Sequence, residues 1–301
     1  MNSFRLLTYL HDGQPRAGVA LGDRVFDGPA LLGRHGVAGV TTTLGMLQVW
    51  DQALPALEAA AANPPADLPS QALAEVALQA PVQFPGAYFC AAKNYYRHSR
   101  EMNANRTISR DNKQPLFFLK PGVHTTIGPG QPIRIPAVSS KIDWEIELAA
   151  VIGRRATQLS VENALSCVAG YTIVNDVSLR DLIHREDWKS DDDWFGCKVF
   201  EGSMPQGPWI VPARDIPDPQ NVHLRLWRNG EIQQDSSTSD MMFSLAEQIE
   251  YVSRRLVLRP GDIIATGTPS GVGGPRGLFL KSGDVVRMEI SGIGTMENPV
   301  E

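Results

Sequence analysis

Cysteine is scarce in this 301-residue chain: Cys90, Cys167 and Cys197 are the only three, and no two form a Cys-x-x-Cys pair. An odd count without that spacing excludes a disulfide framework and a zinc knuckle, and a reducing cytoplasm is the expected location. Each cysteine reads as a small buried hydrophobe. Cys197 has a functional alternative, because Lys198 beside it would favour a thiolate. Long apolar runs are also missing, so no bilayer span and no membrane partner are expected. The first 13 residues hold too short an apolar stretch for a signal peptide and lack a small-residue cleavage site. Nor is there a surplus of positive charge. With 28 Lys and Arg against 33 Asp and Glu, the net charge is −5, which argues against nucleic acid as a partner. Internal repeats and low-complexity segments are absent as well.

What remains is an ordinary globular composition, 43% hydrophobic and 20% charged, in a chain long enough for two domains. Strand-like segments Arg5 to Leu10 and Ala17 to Val25 open the chain, joined by His11-Asp12-Gly13-Gln14-Pro15. Residues from Thr42 to Ala62 have helical composition, stopped by Asn63-Pro64-Pro65. Past Val82 aromatics, glycines and β-branched residues take over, so the boundary falls near residue 80: a small N-terminal domain over 1–80 and a second over 81–301. The second domain reads as strand-rich, with segments over 138–152, 171–177, 209–211, 222–228, 262–266 and 284–290. Asn229-Gly230 predicts a tight hairpin. Ser244-Leu245-Ala246-Glu247 is a capping box opening a helix with Leu245, Ile249, Val252 and Leu256 on one face.

The chemistry concentrates in a few short runs. In Asp143-Trp144-Glu145-Ile146-Glu147-Leu148 the period of a strand sends both glutamates to one face and Trp144, Ile146 and Leu148 to the other. Paired carboxylates repel unless water, a proton or a cation intervenes. Asp176 closes a second apolar run, and three oxygen donors suit one hard divalent ion, Mg²⁺ or Mn²⁺. The alternative is the solvated face of an antiparallel sheet. His98 stands three residues before Glu101, neighbours on a helix, as a water-activating pair or a surface salt bridge. Lys120 ends an apolar strand, either solvated or touching an anion at a site mouth. Arg180 would come round to Asp176 if a helix starts there, or would form an ordinary pair at a helix start. Lys198, among Trp194, Phe195 and Phe200, needs an anionic neighbour if buried, and the acids are the candidate. Gly267-Thr268-Pro269-Ser270-Gly271 follows a strand and offers N–H groups and the Thr268 hydroxyl to a carboxylate, or is a plain turn.

Taken in order, these runs resemble the fumarylacetoacetate hydrolase family. The likeness is carried by Asn94-Tyr95-x-x-His98-x-x-Glu101, Phe118-Leu119-Lys120-Pro121 and Glu145-x-Glu147-Leu148-Ala149-x-Val151-Ile152-Gly153. It continues through Gly170-Tyr171-Thr172-x-x-Asn175-Asp176-Val177-Ser178-x-Arg180-Asp181, Gly207-Pro208-Trp209 and Pro260-Gly261-Asp262-x-x-x-Thr266-Gly267-Thr268-Pro269-x-Gly271-Val272-Gly273. Six such motifs in sequence are specific where one is not. Residues 1 to about 80 also resemble the small N-terminal α/β domain of bacterial members.

The resemblance implies an α+β, β-rich fold with a rolled mixed β-sheet core, often a homodimer. It implies one Mg²⁺ or Mn²⁺ per chain at Glu145, Glu147 and Asp176, with His98 and Glu101 as a water-activating dyad on a lid. Lys198 matches the lysine beside the metal and Thr268 a contact to the substrate carboxylate; Lys120, Arg180 and Gly267 are further substrate-binding candidates. The partner implied is a small anionic 2-oxo acid. The activity implied is hydrolysis of a carbon–carbon bond in a 1,3-diketo acid, of acylpyruvate or fumarylpyruvate type, through a metal-stabilised enolate. A decarboxylase or an isomerase of 2-oxo or 2-hydroxy-dienoic acids would use the same site. A non-catalytic ligand-binding protein would be expected to have lost a metal position, and none is lost. Departures from the pattern fall near the substrate: Ile183 and His184 follow Asp181-Leu182 where glutamine is common, and Cys197-Lys198-Val199-Phe200-Glu201 replaces Gly-Lys-Ser-Phe-Asp. Ile183 suggests a larger or more apolar acyl portion. The polar stretch 102–114 reads as a slightly extended lid.

Overall fold

The computed structural model describes residues 3–102, 109–187 and 192–301; most of the stretch read as an extended lid, 103–108, lies outside the described residues. Within them the strand-rich expectation holds, and the class is α+β with a large mixed sheet. Its order runs Ser70–Ala72, Arg24–Asp27, Gln14–Leu21, Phe4–His11, Met204–Pro212, Val168–Asn175, Ile146–Ile152, Ile263–Ala265, Tyr88–Ala92, Leu116–Lys120. Most neighbours are antiparallel, but Ile263–Ala265 runs parallel to Tyr88–Ala92. A second sheet of four strands is formed by Glu231–Ser237, His223–Arg228, Val285–Ile290 and Gly294–Pro299. No helix among the described residues is long and apolar enough to cross a membrane.

The strand Ile146–Ile152 lies in the interior of the large sheet, and all seven of its residues are buried. Its even positions, with Trp144, pack on a core shared with Leu224, Leu226, Val286, Met288 and the helix residues Leu245, Ile249 and Val252. Its odd positions Ala149 and Val151 pack into a second core with Phe4, Leu6, Val19, Trp50 and Leu57 from the first 80 residues. Each large aliphatic side chain so buried contributes about 1.5–3 kcal/mol relative to exposure. The sheet is thus covered on both faces here, and any carboxylate at an odd position is taken inside with it.

Local signals explain several boundaries. Asn229 and Gly230 both have positive φ, 53° and 81°, as the tight hairpin requires. The Ser244 hydroxyl accepts from the Glu247 N–H and the Glu247 carboxylate accepts from the Ser244 N–H, completing the capping box of the helix Leu245–Ser253. Leu256 falls beyond that helix and is exposed. Three expectations are corrected. The helix over 42–62 is two helices, Thr43–Gln48 and Trp50–Ala62, broken at Val49 where the backbone leaves helical angles. The strand over 138–152 is two pieces, Ile142–Asp143 and Ile146–Ile152. No helix starts at Asp176; Ser178–Leu179 is a short strand paired with Ile142–Asp143.

Candidate active site and metal centre

Register brings the three acids together. Ile146 lies opposite Asn175 across the antiparallel pair, and the Asp176 N–H donates to the Glu145 carbonyl at 2.9 Å. One oxygen from each of Glu145, Glu147 and Asp176 lies within 4.8 Å of the others. Exposure is 5% for Glu145 and 1% for Glu147, so neither belongs to a solvated sheet face. Glu147 Oε2 accepts the Gly267 N–H at 2.8 Å. Burial above all, then the Asp176 and Glu145 carboxylates, pushes the Glu147 carboxyl well above its ordinary value.

Three cations answer this charge. Lys198 closes the short helix Trp194–Lys198, and Asp193 caps that helix by accepting the Gly196 N–H at 2.7 Å. Its Nζ donates to Glu145 Oε2 at 2.8 Å and to Asp176 Oδ2 at 2.5 Å. Burial works against the ammonium, but Asp176 and Glu145 outweigh it and raise its pKa. Arg180 Nη2 donates to Glu145 Oε1 at 2.6 Å, and its Nε to Asp143 Oδ2 at 2.7 Å. Arg180 therefore reaches the site from a strand register rather than from a helical turn. Burial would raise the Glu145 carboxyl, yet Lys198 and Arg180 hold it well below the usual carboxylate range. Burial pushes the Cys197 thiol up despite the adjacent Lys198, which removes the argument for a thiolate.

Lys120 is the clearest change of place. It does not stand at the site mouth: pairing with Tyr88 draws it inward, and its side chain is fully buried. Nζ lies 2.6 Å from Asp176 Oδ1 and donates to the carbonyls of Val177 and Ser203 at 3.1 and 2.8 Å. No aligned hydrogen-bond donor reaches Asp176 Oδ1 among the described residues. Gly267 likewise faces Glu147 rather than the cavity. Thr268 lines the cavity, but its hydroxyl donates to the Ile146 carbonyl at 2.9 Å and accepts from Gln234 Nε2 at 2.9 Å. Its single hydrogen is engaged within the protein.

The dyad is carried by the helix Tyr96–Met102, which is pinned at its start. Asn94 donates to the Phe243 and Thr266 carbonyls and accepts the Phe243 N–H, and the Arg97 N–H donates to Asp240. His98 Nδ1 is 3.4 Å from Glu101 Oε2, and both Glu101 oxygens lie 3.1 Å from the Gly271 nitrogen. His98 is buried, which separates this pair from a surface salt bridge. His98, Glu145, Asp176, Arg180, Lys198 and Thr268 line one cavity of about 450 Å³, walled further out by Phe118, Trp194, Ile183 and Phe279. Glu147, Glu101, Gly267 and Lys120 stand behind that lining. Residues not singled out beforehand also take part: Asp143 on Arg180, Asn175 Oδ1 accepting the Glu145 N–H, and Ser178 donating to Glu145 Oε1. Asp143 continues the period-two spacing of Glu145 and Glu147 backwards by one step, a signal present in the run itself.

The family model for the fumarylacetoacetate (FAA) hydrolase C-terminal region matches residues 87–301. The chain belongs to the fumarylacetoacetate hydrolase family. Within the family, the mitochondrial oxaloacetate tautomerase of Xenopus laevis is 40% identical over 227 residues, 75% of this chain and 68% of that protein. Maleylpyruvate hydrolase from Sphingobium sp. SYK-6, solved in complex with manganese(II) and pyruvate, superposes with a TM-score of 0.76 at 28% identity over 98% of both chains. The 2-hydroxyhepta-2,4-diene-1,7-dioate isomerase of Mycobacterium marinum superposes at 0.72, with 31% identity over 99% of this chain and 98% of that one. These relatives are enzymes of one family that run hydrolysis, isomerisation and tautomerisation. A divalent ion fits the acids of this chain on its own evidence. The donors are three hard carboxylates, converging and buried.

Proposed function

We propose that this chain is a divalent-metal-dependent hydrolase that cleaves the carbon–carbon bond of a 1,3-diketo acid of the acylpyruvate or fumarylpyruvate type. A Mg²⁺ or Mn²⁺ held by Glu145, Glu147 and Asp176 would supply Lewis-acid polarisation of the 2-oxo acid oxygens. His98, with Nδ1 turned to Glu101, takes a proton from water at Nε2. The resulting hydroxide adds to the distal carbonyl carbon. On collapse the bond to the central carbon breaks, its electron pair passes to the enolate of the 2-oxo acid, and a proton returned to that carbon completes pyruvate and a free carboxylic acid. Arg180 and Lys198 temper the charge of the acid cluster, which lets an anionic substrate enter. Phe118, Trp194 and Ile183 shape the wall for the acyl portion.

The observation that carries this reading is buried His98, paired with Glu101 behind it, on the same cavity as Glu145 and Asp176. A second reading has its own support: the likeness to an oxaloacetate tautomerase suits a His98 that moves a proton between carbon and oxygen without using water. Turnover of acylpyruvates, fumarylpyruvate, oxaloacetate and 2-hydroxy-dienoates, each with Mg²⁺, Mn²⁺ or a chelator, separates the two. Hydrolysis of a diketo acid, absent with chelator, is expected. Enolisation or decarboxylation of oxaloacetate with no hydrolysis of any diketo acid would replace this proposal by the second. A cytoplasmic homodimer completes it. The buried, unpaired cysteines support the compartment. The sheet-end strand Leu116–Lys120, with Leu116 and Leu119 exposed, supports a second copy as the partner.

A further inference from the structure

Asp143 is a fully buried carboxylate that the proposed chemistry leaves without a task. Its Oδ1 accepts the N–H groups of Gly273 and Trp144 at 2.7 and 2.8 Å; its Oδ2 accepts the Gly274 N–H at 2.8 Å and Arg180 Nε at 2.7 Å. The four contacts use the acceptor capacity of an ionised carboxylate, with Arg180 as its counterion. The next residue grips the other end of the same turn, since Trp144 Nε1 donates to the Gly271 carbonyl at 3.1 Å. Held from behind at 271, 273 and 274, the turn has its Gly271 N–H directed at Glu101. The packing leaves little slack. A Cβ on Gly273 would lie 2.9 Å from Asp143 Oδ1 and 2.0 Å from the Leu278 carbonyl oxygen, and one on Gly271 would lie 2.1 Å from the Gln233 carbonyl oxygen.

We infer that Asp143 is a positioning residue for the dyad: by fixing the 271–274 turn it sets the Gly271 N–H that orients Glu101, and through Glu101 the imidazole of His98. This rests on the hydrolase reading for the role of His98, but the mechanical link from Asp143 to Glu101 does not. Asparagine at 143 keeps the size but cannot accept all four donors, since its amide nitrogen would face an N–H or the guanidinium. The turn then relaxes, and a base displaced by about 1 Å loses on the order of 100-fold in rate.

The test uses the full-length, Mn²⁺-loaded protein. Asp143→Asn is expected to lower kcat about 100-fold, a larger effect than any change in KM or Mn²⁺ affinity passed on through Arg180. In a Glu101→Ala background the same substitution is expected to cost less than about fivefold, because coupled residues are not additive. Amide exchange at Gly271 should become at least about tenfold faster in Asp143→Asn, reporting local opening. If Asp143→Asn does not fold, Gly274→Ala replaces it: the added methyl meets Arg180 Nε and Asp143 Oδ2 at 3.3 Å each, a mild push that should give a smaller loss, again absorbed by Glu101→Ala. A full loss persisting in the Glu101→Ala background, or unchanged Gly271 exchange in a folded Asp143→Asn, overturns the inference. The exchange measurement needs no turnover. A chain that hydrolyses no diketo acid yet shows the Gly271 response sinks the hydrolase reading and leaves this one standing.

Discussion

Replacing Lys120 by methionine removes an ammonium that is fully buried against Asp176 while nearly keeping the side-chain volume. Asp176 keeps Lys198 but loses its second cation, and the carbonyls of Val177 and Ser203 lose their donor. Breaking a buried ion pair from one side costs about 3–5 kcal/mol. The two abandoned carbonyls fall within that range rather than adding to it, because the three partners share one nitrogen. For a chain of this size about 2–3 °C of Tm accompanies each kcal/mol, so the melting point should fall by roughly 6–15 °C. Saturating Mn²⁺ returns a positive partner to Asp176, so the rise in Tm on adding the ion should be larger in Lys120→Met than in the parent protein. Differential scanning calorimetry with and without Mn²⁺ reads both effects. A Tm within about 2 °C of the parent, together with a raised KM, would mean that Lys120 serves substrate at the mouth of the site, and the buried assignment would be wrong.

Other outcomes follow from the same contacts. Gly271→Ala forces a Cβ onto a residue at φ 105° and against the Gln233 carbonyl, so kcat should drop by at least about tenfold through Glu101; parental kcat would contradict the role of that amide. Asp284 is pushed up by burial, but bonds from Arg228, Asn229 and the Lys281 N–H hold its carboxyl below the ordinary range. A lowered folded-state value stabilises above the unfolded value of about 3.9 and is lost as pH falls through the folded one. Urea melts of Asp284→Asn should therefore show a deficit of about 1–3 kcal/mol at pH 7 that narrows below about pH 4; a deficit independent of pH would refute it. His98→Ala should leave Mn²⁺ affinity within about threefold of the parent while abolishing hydrolysis; equal loss of the ion in His98→Ala and Glu145→Gln would end the division of labour.

Much of this was legible in advance for physical reasons. Period-two spacing correctly opposed Glu145 and Glu147 to Trp144, Ile146 and Leu148, because a strand interior to a sheet leaves side chains no third direction. The hairpin at Asn229-Gly230 and the capping box at Ser244 were visible because each is decided within four residues. Arg180 was expected at Asp176 and is found on Glu145 and Asp143 instead, since its place depends on a strand register that no local pattern shows. For the same reason the sequence offers Lys120 only as a solvated group or an anion contact at a site mouth: what buries it is Tyr88 on the neighbouring strand and the chain at 177 and 203. The spacing marks Asp143 as sharing the face of Glu145 and Glu147 but not what it holds, because the N–H groups of Gly273 and Gly274 lie 130 and 131 residues further on.

The most direct test is a Mn²⁺ titration of the metal-free chain, read by the loss of the free-ion electron paramagnetic resonance signal, in the parent, Glu147→Gln and His98→Ala proteins. One ion per chain is predicted for the parent and for His98→Ala, with binding lost in Glu147→Gln. Undiminished binding in Glu147→Gln would contradict a shared cation at Glu145, Glu147 and Asp176.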